Sequence, residues 1–410
     1  MTATAGIRFR SAVLANGMYR LLFLATFGSG IGTWMATIAL TRDIQLKTHS
    51  TWWVSLLFIV TFIPSVVVGA AVGPLIDRLS RKRLIIGADL ARVLVFALLP
   101  FAKAPAAMIA LATVAGIANS FFRPAVLAGV PNLVSERDLD AATSLLQGTD
   151  WFAAALGPAI GGALVSGFGP HLVYWINAGT FLFSALLLAR IPGRLLQSAQ
   201  GITRGHWRDL REGVDAFRGW TPLRLALYGF APTMIAQGLV YVAEIFLATR
   251  VLRSGAFGFG LLWAASGVGL VAGSIVTGIL LQKRDVLSIY VFTFVPIAAG
   301  LMGAAVAPDV WVATIAMIVA GLGNGLAFPM MVLIIQRHTT DRIRGRAFTV
   351  VISAHSALLG LAMIASGALT EVIGARWTYV IAACFAAGSA LTVLALSRGL
   401  ERRPALASTG

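Results

Sequence analysis

Apolar stretches of about 20 residues follow one another along almost the whole chain, each closed by a short polar or basic segment. A helix rising about 1.5 Å per residue needs that length to cross a hydrocarbon layer about 30 Å thick. The pattern predicts twelve membrane-spanning helices, at roughly 20–42, 52–76, 83–102, 106–130, 141–166, 171–190, 222–249, 257–281, 286–306, 310–335, 346–371 and 376–397. The first stretch, Leu21 to Leu40, follows Arg8, Arg10 and Arg20 as a signal peptide would, but it is long for one and lacks a small-residue cleavage site, so it reads as a retained helix.

One long hydrophilic segment, Ile191 to Thr221, divides six spans from six. Within it Trp207, Leu210, Val214 and Phe217 recur at helical spacing among charged residues, as in an amphipathic helix lying at a membrane surface. The expected organisation is an N-terminal half (1–190), a cytoplasmic linker (191–221) and a C-terminal half (222–410). The two halves also resemble each other at a period of 205 residues. Gly73 falls on Gly278, Arg78 on Lys283, Pro124 on Pro329, Gly169 on Gly374, Tyr174 on Tyr379 and Ser184 on Ser389. The fold class expected is an all-α membrane protein of twelve transmembrane helices in two pseudo-symmetric halves.

Composition agrees with a lipid solvent. Hydrophobic residues make up 58% of the 410 and charged residues 12%, against about 25% charged in a soluble domain. The net charge of +16 invites a nucleic-acid reading until the 32 Lys and Arg are placed. Arg42, Lys47, Lys103, Arg250, Arg253 and Arg376 fall in outer loops and Arg92 and Arg123 at membrane depth, so the remaining 24 lie on one side. This positive-inside bias puts both termini in the cytoplasm and accounts for the basic charge with no polyanion partner. The single Cys384 permits no intrachain disulfide.

Between the second and third spans stands Gly73-Pro-Leu-Ile-Asp77-Arg78-Leu-Ser80-Arg81-Lys82-Arg83. It resembles the G-x-x-x-D-R-x-G-R-[RK] signature of the major facilitator superfamily, departing from it at Ser80. The resemblance implies a cytoplasmic latch built from Gly73, Asp77, Arg78, Arg81 and Lys82, with Asp77 set against the positive N-terminus of another helix. Span five contains Gly157-Pro158-Ala-Ile-Gly161-Gly162, similar to a G-P-x-x-G-G element of facilitator-family antiporting exporters. Proline bends such a helix and the glycines permit close helix contact. Gly269 and Gly273 offer a similar small-residue spacing where the halves are expected to pack. Asp341-Arg-Ile-Arg-Gly-Arg346 and Pro131-Asn-Leu-Val resemble the drug, macrolide and siderophore exporter branch. That branch often carries an acid after a glycine in span one, where this chain has Thr33 after Gly32.

Ionisable groups inside a bilayer are costly and mark candidate functional sites. Asp89 and Arg92 stand three apart on one helical face, which suits a pair with each other or with the latch. Asp150 lies deep in span five, where it could pair with Arg123 of span four or exchange a proton. Glu244 sits in the outer half of span seven, on one face with Thr233, Gln237 and Tyr241. It is the foremost candidate for a proton or substrate-cation site, the alternatives being a pair with Arg250 or a reach to the outer interface. His355 reads as a hydrogen-bonded structural residue.

The superfamily resemblance implies that spans one, four, seven and ten line a central cavity. They contribute Thr26, Thr33 and Thr37; Asn119 and Phe122; Gln237 and Tyr241; and Asn324 and Phe328. No metal-ligand spacing, nucleophile elbow or phosphate loop occurs, so no metal or cofactor is expected beyond a proton gradient as driving force, and no enzymatic activity. The expectation is a monomeric, multi-pass transporter of the bacterial inner membrane. It would export lipophilic or cationic small molecules against inward-moving protons by alternating access. A dedicated siderophore or metabolite exporter is the nearest alternative, and a membrane sensor or enzyme on the same scaffold a more distant one.

Overall fold

The computed structural model describes residues 13–71, 80–196, 221–280, 286–337 and 341–401. Of the latch, Gly73, Asp77 and Arg78 lie outside these residues, as does the amphipathic linker segment around Trp207 to Phe217. Among the described residues every long element is a helix: α1 (Gly17–Thr48), α2 (Thr51–Ala71), α3 (Arg81–Leu98), α4 (Pro105–Gly129), α5 (Leu139–Phe168), α6 (Pro170–Ala189), α7 (Thr221–Phe246), α8 (Gly255–Leu280), α9 (Val286–Val306), α10 (Val310–Arg337) and α11 (Asp341–Glu401). The last is bent at Gly374 (φ 81°, ψ 164°) into two arms, each long enough to cross a membrane. Among the described residues ten helices are long and apolar enough to span, and Thr51–Pro64 is a shorter apolar one. With α11 counted as two arms, these make the twelve segments expected.

Large apolar side chains cover the outside of the helices. Val372 is 82% exposed, Phe101 69% and Phe292 67%. Water would penalise such a surface by about 25 cal/mol per Å2, whereas hydrocarbon accepts it.

Two compact units form, one of residues 1–204 with 254–264 and the other of 205–253 with 265–410. In the first, α1 packs on α5 and α6, α3 on α4 and α6, and α2 on α4. In the second, α7 and α9 pack on α11, and α9 on α10. The 205-residue repeat appears at the level of single atoms. Gly169 (φ 80°) and Gly374 (φ 81°) take the same left-handed bend before the last helix of each half. Tyr174 and Tyr379 are both fully buried, and Pro124 and Pro329 both lie inside a continuous helix. Gly116 lies against the backbone of Val60 and Thr61, and its counterpart Gly321 against that of Ser266.

Caps and ties account for the ends of the first unit. Asn16 accepts from the backbone N–H groups of Met18 and Tyr19, and its amide donates to the Leu133 carbonyl at 2.7 Å. Ser80, where the signature has glycine, caps α3 by accepting from the Arg83 N–H. Arg81 donates to the carbonyls of Ala128 and Leu196, at 3.1 and 3.2 Å, and Lys82 to that of Ala189 at 2.6 Å. The first residues of α3 therefore answer carbonyls at the C-terminal ends of α4 and α6, where cations are favoured.

Inside the unit, Asp89 holds α3 to α6, accepting from Arg92 at 2.5 Å and from the Ser184 hydroxyl at 2.7 Å. At the other end of α1, Asp43 accepts from Tyr174 at 3.0 Å and pairs with Lys47 at 3.2 Å. Lys47, assigned from the sequence to an outer loop, instead reaches the Ala102 carbonyl from within α1.

Two stability predictions follow from this packing. Gly374→Ala and Gly169→Ala should each lower stability by about 1–3 kcal/mol, because no neighbouring atom opposes the added methyl and the backbone conformation alone resists it. Asp89→Ala should cost about 3–5 kcal/mol by leaving Arg92 buried and unpaired, and Ser184→Ala about 1 kcal/mol. Thermal melting in detergent would check the ranking, and an Asp89→Ala protein as stable as Ser184→Ala would contradict it.

Candidate functional site

The polar face of α1 shapes a cavity of about 240 Å3 in the first unit. Thr26, Ser29, Thr33 and Thr37 line it, at intervals that keep them on one side of the helix. Each hydroxyl donates back to a carbonyl of the preceding turn: Thr26 to Leu22 at 3.0 Å, Ser29 to Ala25 at 2.8 Å, Thr33 to Ser29 at 2.7 Å and Thr37 to Thr33 at 2.9 Å. The hydrogens are thus spent inside the helix, and what faces the cavity is a row of oxygen lone pairs.

The opposite wall comes from α3, α4 and α5. Asn119, Phe122 and Arg123 of α4 line it with Thr149 and Asp150 of α5 and Arg92 of α3. Arg123 and Asp150 form an ion pair at 2.8 Å, with side chains 55% and 44% exposed. A pair so open is worth only about 0–1 kcal/mol and exchanges partners readily. Arg123 also reaches Gln147, at 3.4 Å.

Arg92 is the opposite case. It is 3% exposed, and its guanidinium lies between the rings of Phe122 and Phe181, 4.3 and 4.2 Å from their centroids. A second cavity of about 70 Å3, mostly apolar, adjoins the first and shares Thr33, Thr37, Thr61, Arg92 and Asn119 with it. The spacing of Asp89 and Arg92 suggests a pair with each other or with the latch, and Arg123 is the base that the sequence sets beside Asp150. The structure adds Arg92, which sits on the wall common to both cavities. No local sequence feature distinguishes it from a structural pair, because its placement depends on how α3 is rotated against α4 and α6.

In the second unit Glu244 is buried, 2% exposed, and its Oε1 has no hydrogen-bond partner among the described residues. Tyr241 and Gln237 lie one and two turns earlier on α7 and share a hydrogen bond. The hydroxyls of Tyr241 and Tyr379 both lie within electrostatic reach of the Glu244 carboxyl. Thr233, on the same face, is taken up by Ser389 at 2.8 Å. Arg250 places its guanidinium over the Phe246 ring at 4.7 Å. In α10, Asn324 donates to the Ala320 carbonyl at 3.4 Å, while Phe328 is 42% exposed. His355 meets the Leu227 carbonyl at 3.0 Å and the Phe230 ring.

The glycines of α5 allow backbone-to-backbone approach. Gly157 lies against Ile31 and Trp34 and Gly161 against Met35, while Gly162 meets Ala256 and Gly260 within the first unit. Pro158 sits inside the same helix. Gly269 and Gly273 likewise permit close approach of backbones. They pack against Ile318, Leu322 and Gly325 of α10 within the second unit, since their small faces meet the equally small face of that helix. Among the described residues no three His, Cys, Asp or Glu side chains converge as metal ligands would.

Residues 22–339 and 246–409 match the Major Facilitator Superfamily. The chain is 25% identical over 386 residues to the uncharacterized MFS-type transporter YfiS of Bacillus subtilis (strain 168), covering 90% of each. It is 22% identical to the multidrug efflux pump Tap of Mycolicibacterium fortuitum, over 89% of this chain and 92% of that one. To the enterobactin exporter EntS of Salmonella paratyphi A it is 28% identical, over 82% and 81%. Its fold matches a bacterial homologue of the iron transporter ferroportin in the inward-facing state, with TM-score 0.76 over 93% of this chain and 98% of that one at 13% identity. The nucleoside transporter NupG matches with TM-score 0.70, over 93% and 99% at 16% identity. The chain belongs to the Major Facilitator Superfamily and is a multi-pass membrane transporter, not an enzyme.

Proposed function

We propose that this transporter is a secondary active exporter of lipophilic or cationic small molecules, driven by protons moving inward. The observation that carries the reading is Glu244, a carboxyl group buried at membrane depth with one oxygen unpartnered. A carboxylate is expensive there without a counter-ion, so a proton and a cationic substrate are alternative means of neutralising it. Tyr241 and Tyr379 lie within electrostatic reach of that carboxyl, so its charge state is felt by both hydroxyls.

The first unit's cavity suits such a cargo. Its lone-pair row and Asp150 favour groups that donate hydrogen bonds, and Trp34, Phe62 and Phe122 favour an apolar body. The weak Arg123–Asp150 pair can yield Asp150 to an incoming cation, which loosens the wall between α4 and α5. Relatives named as a multidrug efflux pump and an enterobactin exporter support export as the direction. On this reading the protein is a monomer of the bacterial inner membrane with both termini in the cytoplasm, and it needs no cofactor. Arg81 and Lys82 belong to a latch on the cytoplasmic side. The second reading, a dedicated siderophore or metabolite exporter, is favoured by Arg92 on the cavity wall, since a multidrug site for simple cations has no need of it.

Everted vesicles containing the wild-type protein should accumulate a lipophilic fluorescent cation only while a proton gradient is imposed. Glu244→Gln should abolish the dependence on the gradient. Asp150→Asn should weaken apparent affinity roughly tenfold, the loss of one hydrogen bond to a charged group. Wild-type vesicles that accumulate none of a chemically varied cation panel would overturn the multidrug reading in favour of the dedicated exporter.

A further inference from the structure

Arg92 is held more firmly than pairing requires and yet is not saturated. Its Nε donates to the Ala88 carbonyl at 3.3 Å and one Nη2 hydrogen to Asp89 at 2.5 Å. Its Nη1 has only Asn119 Oδ1 at 3.4 Å, beyond the usual range for a good N–H···O bond. A guanidinium carries five N–H donors, so hydrogen-bonding capacity remains on the edge toward Asn119. The faces of the group are closed by Phe122 and Phe181, which leaves its edges for recognition.

Both oxygens of Asp89 are already engaged, one by Arg92 and the other by Ser184. Asp89 therefore holds the arginine in place and keeps the empty site neutral. Asn119 offers its amide N–H beside that edge, and both residues line the two adjoining cavities. A fixed planar fork with unused donors, in a site of low polarity, suits the planar carboxylate group.

We propose that Arg92 and Asn119 form a recognition subsite for a carboxylate group on the transported molecule. The cargo is then amphoteric: its acid docks at Arg92 while its cationic part answers Asp150 and the lone pairs along α1. This rests on the reading of the cavity as the cargo's site and narrows the cargo from cations in general to lipophilic molecules that carry an acid as well. Asp89 and Ser184 are positioning residues, because they reach the cargo only through Arg92.

The test compares two dyes that differ at one group, rhodamine 110, with a free carboxylate, and rhodamine 123, its methyl ester. Binding to the purified full-length transporter is read by fluorescence polarisation. The wild type should bind the acid about tenfold more tightly than the ester. Arg92→Lys keeps a cation for Asp89 but loses the planar fork, and it should bring the two affinities together by weakening the acid alone. Asn119→Asp retains Asp89 on Nη2 but sets a carboxylate against the Arg92 Nη1, and should have the same effect by occupying that donor and repelling the ligand's own charge.

Equal affinities in the wild type, an acid preference that survives Asn119→Asp, or no binding of the acid up to millimolar concentration would each overturn the proposal. Proton-driven transport of the ester, together with equal wild-type affinities for acid and ester, would leave the exporter reading standing without this subsite. Arg92-dependent binding of the acid with no response of transport to a proton gradient would leave the subsite standing without the exporter reading.

Discussion

A charge carried into hydrocarbon must be answered within the same bundle, and the arrangement of the first unit follows from that requirement. Asp89 answers Arg92, Ser184 completes Asp89, and two aromatic rings close over the guanidinium. Three elements are thereby fixed around one polar centre, for α3 supplies the pair, α4 one ring and α6 the other ring and the hydroxyl. Where the answer is loose, as between Arg123 and Asp150, the groups stay open to the cavity. Where one oxygen has no answer among the described residues, as at Glu244, the proposed function has a proton or a cation supply it.

The twelve spans and the duplication of the fold were legible because both rest on local physics. Membrane thickness sets the length of each apolar run, and the bend before the last helix of each half demands a residue tolerant of positive φ, so glycine stands at both Gly169 and Gly374. Thr26, Ser29, Thr33 and Thr37 could likewise be placed on one face from their spacing alone. Partners across helices were not legible. The small faces of Gly269 and Gly273 could be read, but not that α10 would meet them. Asp43 lay in what looked like the mouth of an outer loop, yet it is buried beneath Tyr174 because α1 continues to Thr48. Arg92 resembled a self-neutralised pair, and only the rotation of α3 toward α4 and α6 brings it to the cavity.

The two halves share a backbone plan and differ in chemistry. Tyr174 meets a carboxylate that is also paired with Lys47, whereas its counterpart Tyr379 lies near Glu244, whose Oε1 has no partner. The Asp89–Arg92 pair has Phe294 and Ile297 at the corresponding places of the second half. Duplication has thus supplied a common frame on which one half carries the ion pairs of a binding cavity and the other a lone buried acid. On the proposed function, Asp150 meets the cargo in the first unit's cavity, while Glu244 in the second is the group at which proton and cation are exchanged.

The central claim is that cargo and protons move in opposite directions through the same protein. It is tested most directly by reconstituting the transporter in proteoliposomes that enclose a pH-sensitive dye and recording the internal pH as a gradient of rhodamine 110 is imposed from outside. The account predicts that dye entering the vesicles drives protons out and makes the lumen alkaline, and that Glu244→Gln abolishes the change while dye still binds. A lumen that turns acidic as the dye enters, or dye entry through the transporter with no change in pH, would contradict it.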